Sequence, residues 1–495
     1  MPKRATSLLA VFALIFGLIS GGATAQAAAP NYVEGNDPAA VLFNPMKISW
    51  VEINRVLGGP ALTRDYLDSP TFRPANIKIT LSGTDKYTTL MNVGVRIKGS
   101  FTRRFEKFSV KISFNQFVKG QNYLGLKSMT LNAMMQDPSF IHETTSYKLY
   151  RSLGIPAPRN GFSKLRIDGA YMGLYLNLET VDSVMLKHWV SSTKHLYTGA
   201  SQCDLLPYNQ CLQPVIGNTN RADLTAVTKL DSLHGAAWWE AFKNLANVSE
   251  VQTLMATEIF LSNWDAYTGQ WHNNYFIQFN KRGHFLLLPW GTDQTFPQES
   301  FHQLNWDGSK PVGMPASATL GTLFVHCVEF TPCYNQLLRA GNRISETVNK
   351  IHLIDYSNNV GNMILASNAL HYDLSGANYA SARLSQDWVR TFLNNRQKIL
   401  SKFLASRSPI PLGVQLSAHI HAGQLVKPTI ERSWESQVAI AYQWYLDGKP
   451  IAHENHKNYR ARPRDVGHRL KLQITLSRVG VQATHYFSRT RTVKR

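Results

Sequence analysis

The residue pattern changes at a short proline-containing segment, and this change constrains the fold more than any other feature. Residues 407–412 lie in the string RSPIPLG and follow a helical pattern. Beyond them come short alternating segments separated by turns, among them 438–445 and 470–476, and this pattern is typical of a β-sandwich. We therefore expect a linker at 407–412 between a mixed domain at 28–406 and an all-β domain at 413–495.

The segment from 28 to 406 mixes the periodicities of strands and helices. Apolar and polar residues alternate at 93–97 and 108–114, which predicts two half-buried strands with polar outer faces. A helix is expected near 251–262, and a β-hairpin with a Lys-Arg-Gly turn is expected over 274–289. Strands followed by helices around a short hairpin predict an α+β fold with two lobes.

The amino terminus has the three parts of a secretory signal. Basic residues precede an apolar run of twelve residues from Leu8 to Ile19, and a stretch of small residues follows. Twelve apolar residues are too few to cross a bilayer. We expect a signal peptide at 1–27, no transmembrane segment, and a mature chain that is secreted or held at the cell surface.

Export makes disulfides the expected state of the four cysteines. Cys203 and Cys211 enclose one short loop, and Cys327 and Cys333 enclose another, so two local disulfides are the simplest pairing. The alternative is a structural zinc site made by the cysteines. It is disfavoured because neither pair has CxxC spacing and no histidines flank both pairs.

Positive charge is concentrated at the carboxyl terminus. The whole chain has a formal net charge of +20, and residues 457–495 contain eleven Lys or Arg against one acid. Such a segment favours contact with an anionic cell-surface polymer rather than specific recognition of nucleic acid. The alternative is that these charges only keep the surface soluble.

Several polar residues occur where a phosphoryl-transfer site needs them. The chain has no GxSxG, no HExxH and no Walker loop. Asp265 follows the predicted helix, Asn273 or Asn274 opens the next strand, and Asp293 comes just after the return strand of the hairpin. A hairpin brings its two ends together, so these oxygens can converge as magnesium ligands.

A lysine and a glutamate in the preceding region complete this pattern. Asp137 and Pro138 predict the start of a helix that ends at Gly154. Glu143 falls on the face of this helix that should pack inward, and a buried carboxylate needs a partner. Lys111 points away from the apolar layer of its strand and is the candidate partner. The alternative is that both side chains lie on the surface.

Seven strings in order resemble the CotH (spore coat protein H) kinase family over about 90–300. They are RIKGSFTRR, FEKFSVKISF, LGLKSMTLNAMMQDPSFIHETTSYKLYRSLG, LRIDGAYMGLYLNLE, SNWDAY, NNYFIQF and LPWGTDQTF. The resemblance implies an atypical protein-kinase-like domain that transfers phosphate from ATP to serine with Mg²⁺ or Mn²⁺.

The resemblance also implies roles for particular residues. Lys111 corresponds to the nucleotide lysine, with Glu143 as its helix partner, and Asp265 corresponds to the catalytic acid. Asn274 corresponds to the amide metal ligand, with Asn273 as the alternative, and Asp293 is the carboxylate metal ligand.

Two further residues have open interpretations, and two depart from the family pattern. Glu179 is a nucleotide contact or an ion-pair partner, and Trp290 stacks on adenine or packs in the core. Gly291 replaces the first acid of the family's Trp-Asp-x-Asp, so restoring it as Gly291→Asp is expected to raise activity. His142 replaces an arginine of the family.

The carboxyl-terminal strings YQWYLDGKPI and PRDVGHRLKLQIT resemble bacterial immunoglobulin-like repeats, which implies an immunoglobulin-like sandwich with Trp444 in its core. The expected protein is thus a secreted serine kinase acting on an extracellular or surface protein that the sequence does not identify. The alternative is a catalytically weak or inactive kinase-like protein that binds a surface.

Overall fold

The computed structural model describes most of the chain. The described residues are 35–99, 101–199, 201–207, 210–218, 220–406, 414–430, 439–477 and 483–495. The predicted signal peptide at 1–27 and the predicted linker at 407–412 lie outside the described residues, so both remain predictions.

Seven strands in the first part of the chain close into a barrel. They are β1 (Ile48–Arg55), β2 (Arg73–Thr80), β3 (Tyr87–Lys98), β4 (Ser109–Ser113), β5 (Ser128–Asn132), β6 (Asn160–Ile167) and β7 (Ala170–Glu179). Their order around the barrel is β1-β2-β3-β4-β5-β7-β6, and parallel pairing of β1 with β6 closes it. The strands predicted from alternation are confirmed, since Val95 on β3 and Val110 on β4 are fully buried.

The rest of the described residues up to 406 is mainly helical. The helices are α1 (Arg64–Leu67), α2 (His142–Ser152), α3 (Ser183–Trp189), α4 (Ala222–Thr228), α5 (Gly235–Leu245), α6 (Val248–Leu261), α7 (Thr322–Glu329), α8 (Thr331–Lys350), α9 (Leu353–Ala366) and α10 (Tyr379–Ser406). A sheet of order β11-β10-β8-β9 packs with them; its strands are β8 (His195–Thr198), β9 (Gln213–Ile216), β10 (Tyr275–Phe279) and β11 (Phe285–Pro289). The predicted helix near 251–262 and the predicted hairpin are confirmed.

The predicted start of the helix that carries Glu143 is wrong. Helix α2 begins at His142, because Phe140 has a left-handed backbone (φ 62°) that interrupts any helix starting at Asp137. Asp137 instead holds the turn before the helix. Its carboxylate accepts hydrogen bonds from the backbone N–H groups of Ser139, Phe140 and His142 at 2.9, 3.0 and 2.8 Å.

A buried ion pair joins the barrel to the helical part. Lys107, between β3 and β4, lies 2.9 Å from Asp373, which follows α9, and both side chains are fully shielded from water. The Asp373 carboxylate also accepts the backbone N–H of Leu174 on β7 at 2.7 Å. These contacts fix the barrel against the helices.

Both predicted disulfides are confirmed. Cys203 pairs with Cys211, and Cys327 pairs with Cys333. The zinc alternative for these cysteines is therefore wrong.

The described residues from 414 onward contain strands but no α-helix. The strands are β12 (Val414–Gln415), β13 (Ile420–His421), β14 (Leu425–Val426), β15 (Thr429–Ile430), β16 (Ala439–Leu446), β17 (Lys449–Pro450), β18 (Tyr459–Arg460), β19 (Arg469–Ser477), β20 (Thr484–Phe487) and β21 (Arg491–Lys494). The main sheet has the order β13-β21-β19-β16-β17, with β20 also on β19. Trp444 is fully buried, as predicted, while the immunoglobulin-like topology remains a prediction.

Strands and helices together make the mixed α+β composition that the sequence predicted for the larger domain. Within the described residues, no helix is both long enough and apolar enough to cross a membrane.

Candidate active site

The loop after α6 brings an acid to two amides. Asp265 Oδ2 accepts a hydrogen bond from Asn274 Nδ2 at 2.7 Å, and its Oδ1 accepts a longer one from Asn273 Nδ2 at 3.3 Å. Asn274 adopts a left-handed backbone (φ 49°) immediately before β10, which turns its side chain toward the acid. The acid and both candidate amides of the sequence analysis therefore lie together.

Asp293 reaches the same place from the other end of the hairpin. Strands β10 and β11 pair along their length, and the Trp290 N–H donates to the Asn274 carbonyl at 2.9 Å. Burial, followed by the charge of Asp293, raises the pKa of Asp265 to about 7. Burial also raises the pKa of Asp293 to about 6. Two poorly solvated acids that repel each other favour binding of a cation.

Gly291 lies against the side chain of Asn274, which leaves little room for a side chain at position 291. Its backbone is left-handed (φ 51°), and a Cβ atom there would lie 2.9 Å from Asn274 Oδ1. The Asn274 amide nitrogen is bonded to Asp265, so this side chain cannot move away freely. The expected gain in activity on Gly291→Asp stays a prediction, and the structure counts against it, because the new side chain would displace Asn274.

Glu143 on α2 is buried, 1% exposed, and faces the same cluster. It accepts hydrogen bonds from Asn132 Nδ2 at the end of β5 and from the Tyr147 hydroxyl at 3.3 Å. Burial raises the pKa of Glu143 to about 8, and the negative charge of Asp293 adds to this rise. The prediction that Glu143 faces inward is confirmed.

The lysine beside Glu143 is Lys98 and not Lys111. Lys98 ends β3, and its positive charge is the one that opposes the rise in the Glu143 pKa. Lys111 pairs across the strands with Arg96, and the carboxylate that acts on it is Asp182. Within the described residues, no ion pair joins either lysine to Glu143, but the charge that acts on Glu143 is that of Lys98, so the structure does not support the predicted partnership with Lys111.

The error has a simple physical origin. Arg96, Lys98 and Lys111 all lie on the polar face that the alternation predicted. Which lysine meets α2 depends on where the helix crosses that face, and no local sequence pattern indicates this.

Lys98 lies in a poorly solvated position. Burial, followed by the charge of Lys111, lowers the pKa of Lys98 to about 7. Its ammonium lies 3.5 Å from the centre of the Trp290 ring.

Comparison with protein families gives a match over this region. The model of the CotH kinase protein family matches residues 95–400, well over half of the chain. The chain belongs to the CotH kinase family. Every residue of the cluster described above lies within the matched range.

Two curated relatives come from Bacillus subtilis (strain 168). Inner spore coat protein H is 23% identical over 225 residues, which cover 42% of this chain and 60% of that protein. The inner spore coat protein H-like protein is 36% identical over 76 residues, 15% of this chain and 23% of that protein. The chain thus matches less than two thirds of the length of either relative.

A solved structure also resembles this CotH kinase chain distantly. The crystal structure of the Helicobacter pylori proinflammatory kinase CtkA shares 10% identity with a TM-score of 0.28. The match covers 59% of this chain and 95% of CtkA.

Glu179 has the ion-pair geometry that the sequence analysis gave as one of its two interpretations. Its carboxylate oxygens accept from Arg159 Nη2 at 2.7 Å and from Arg159 Nε at 3.0 Å. Arg159 also binds Asp37, so the guanidinium is held from two sides. The structure therefore favours the ion-pair interpretation of Glu179.

Trp290 and His142 both border the acids of the CotH kinase cluster. The Trp290 ring is half-buried and meets Phe276 edge-on, with the ring centres 5.9 Å apart. His142 Nδ1 lies 2.7 Å from the carbonyl oxygen of Asp293. His142, which the sequence analysis placed where the family pattern has an arginine, therefore positions the backbone of the candidate metal ligand.

Proposed function

We propose that this CotH kinase chain binds ATP with Mg²⁺ or Mn²⁺ and transfers the terminal phosphate to a serine of an extracellular or surface protein. The observation that carries the proposal is the convergence of Asp265, Asn274 and Asp293, with Lys98 and Glu143 on the facing strand and helix. Each of these acids has a raised pKa, and a bound cation would relieve their repulsion.

The donor set fits a hard divalent cation. Asp293 offers a carboxylate, and Asn274 offers Oδ1, because its amide nitrogen already donates to Asp265. Oxygen donors of this kind suit Mg²⁺ and Mn²⁺. The cation, when bound, would neutralise negative charge on the phosphates. Asn273 Nδ2 also donates to Asp265, and Asn273 is the alternative amide ligand.

Asp265 is the proposed acceptor of the serine proton. The pKa of about 7 is close to the working pH of a general base, which can then take and release a proton readily. The two asparagine amides hold the carboxylate in one orientation. Positioning an acid at the nucleophile in this way is what phosphoryl transfer requires of the protein.

Lys98 is the better candidate for the cation that meets the phosphates. Its charge acts on Glu143, and a strand lysine close to a helix glutamate is the pair that protein kinases use. Lys111 is half-buried one strand away and stays the alternative. Binding of a polyanion would raise the lowered pKa of Lys98 and fix its charge.

Thermal unfolding with ATP and Mn²⁺ tests the proposal. A ligand that binds only the folded chain raises its stability by about 2.7 kcal/mol at a hundredfold excess over Kd. We expect this shift in the wild type and in Lys111→Met, and expect Asp293→Asn and Lys98→Met to lack it. If ATP gives no shift with any divalent metal, the nucleotide site does not exist.

The second candidate function is a kinase-like protein that binds a surface without catalysis. Gly291 favours it, because the family's first acid is missing and the backbone at this position does not suit a side chain. This candidate predicts no transfer of phosphate even where ATP binds. Detection of phosphoserine on any acceptor, absent in Asp265→Asn, would exclude it.

We also propose that the carboxyl-terminal domain tethers the enzyme to an anionic polymer at the cell surface. The support is the net charge of residues 457–495 and the exposure of its basic side chains, which include Arg460, Arg469 and Lys494. Retention of the whole chain on anionic polymer should fall as salt rises, because added ions screen the charges. Retention that does not change with salt would contradict an electrostatic tether.

A further inference from the structure

A cavity lined by ionisable side chains lies among the helices. Its volume is about 470 Å³, and it opens between the 3₁₀ turn Lys229–Ser232, the start of α5 and helix α7. Its lining includes Asp231, His234, His326 and Glu329. None of these residues belongs to the cluster around Asp265, so the cavity is a separate feature from the proposed kinase site.

Three of these side chains offer ligand atoms that converge. One atom each of His234, His326 and Glu329 lies within 4.8 Å of the other two. His326 and Glu329 are three residues apart on α7, so they share a helix face. His234 comes from the residue that precedes α5. The chain thus brings two imidazoles and a carboxylate together from elements about ninety residues apart.

We propose that this cluster is a zinc site, with His234, His326 and Glu329 as protein ligands and a fourth position open to water. Two histidines and one carboxylate form a ligand set that suits Zn²⁺. In a tetrahedral site, bonds of about 2.0–2.2 Å separate neighbouring ligand atoms by roughly 3.4 Å. His234 and Glu329 are exposed, so rotation of their side chains can close the remaining distance.

His326 is the fixed member of the set. It is 7% exposed, and its ring stacks on Trp238 with the ring centres 5.5 Å apart. Asp231 Oδ1 lies 3.9 Å from His326 Nε2 and accepts a hydrogen bond from the Thr322 hydroxyl at 2.9 Å. The stack on Trp238 fixes the orientation of the His326 ring, and Asp231 adds a nearby negative charge that favours a cation.

Both disulfides border this cavity. Asp204, which lines it, lies in the loop closed by Cys203 and Cys211. The other disulfide joins Cys327 on α7 to Cys333 on α8, within the turn that carries Glu329. The covalent links therefore hold two walls of the site before any ion binds. They also leave no cysteine thiol to compete for zinc.

Zinc binding to the tag-free full chain tests the proposal directly. After dialysis against chelator, titration with Zn²⁺ alone and elemental analysis should show one zinc per chain in the absence of nucleotide. His234→Asn and Glu329→Gln should each weaken binding about tenfold or more. Both positions are exposed, and asparagine is a good residue before a helix, so neither change should unfold the chain.

His352→Asn is the matched control. His352 is an exposed histidine whose Nδ1 lies 3.8 Å from the Asp355 carboxylate. Among the described residues, it is not part of a cluster that could hold a metal ion. Its left-handed backbone (φ 48°) accepts asparagine. This variant should bind zinc as the wild type does. The proposal is overturned if the wild type takes up no stoichiometric zinc, or if His234→Asn and Glu329→Gln bind zinc as tightly as His352→Asn.

Discussion

Two glutamates of this molecule are equally buried, but one is paired with an arginine and the other is bonded by uncharged donors. Glu179 on β7 and Glu143 on α2 are each 1% exposed. Glu179 bonds Arg159 through both carboxylate oxygens. Among the described residues, an amide and a phenol are the hydrogen-bond donors to Glu143, and burial raises its pKa to about 8. Burial alone therefore does not distinguish a structural acid from a functional one.

The difference lies in which charges are satisfied within the chain. A buried carboxylate with its own guanidinium serves the fold, because removing either partner leaves an unpaired charge. The cluster of Glu143, Asp265 and Asp293 lacks such a partner among the described residues and faces the half-buried Lys98. Acids that have no cationic partner and have raised pKa values are candidates for a site that a ligand completes.

Glu179→Gln should have the largest effect on stability. The change leaves the buried Arg159 without a carboxylate on that side, and breaking such a pair costs about 3–5 kcal/mol. Glu143→Gln should leave the free energy of unfolding unchanged or raise it, because the glutamine keeps the shape and removes an acid whose burial is costly. Urea unfolding of both variants measures the contrast. Equal losses would remove the distinction between the two glutamates.

Gly291→Asp should have an intermediate effect. A side chain in the left-handed region costs about 1–2 kcal/mol, and the new Cβ also displaces Asn274. We expect the same urea assay to show this loss together with weaker metal-dependent binding of ATP. A variant as stable as the wild type and more active would show that the family's acid can be restored here.

The dependence of stability on pH tests the same acids in the wild-type chain. The pKa values of Glu143, Asp265 and Asp293 are raised to about 8, 7 and 6, so the folded chain binds more protons than the unfolded chain above pH 4. Stability contributed by these acids should therefore fall as pH rises from about 5 to 8. Asp293→Asn should flatten the fall, and unchanged slopes would contradict the raised pKa values.

Much of the fold follows from local patterns, while the closure of the barrel does not. The alternation of apolar and polar residues predicted that Val95 and Val110 are buried, and the short loops between the cysteines predicted both disulfides. Closure depends on parallel pairing of Ile48–Arg55 with Asn160–Ile167, which are about a hundred residues apart and carry no local signal for each other. The mistaken helix start at Asp137 came from Phe140, whose left-handed backbone has no signature in the sequence.

The candidate site was predicted in the same uneven way. A hairpin brings its ends together by geometry, so Asp265, Asn274 and Asp293 were found in advance. Lys98 was missed because Lys98 and Lys111 lie on the same polar face of strands β3 and β4. Its position at the end of the strand, just before Gly99, could have suggested it as an alternative. The His326 and Glu329 pair was visible at helical spacing, but its partner His234 was not.

Transfer of labelled phosphate from ATP is the most direct test of the kinase proposal. With Mn²⁺, the wild-type chain should place label on serine of itself or of added test proteins. Asp265→Asn should still show the thermal shift with ATP and should lose the label, because only the proton acceptor has changed. Label that is equal in wild type and Asp265→Asn, or absent from both while ATP binds, would contradict a catalytic role for this cluster.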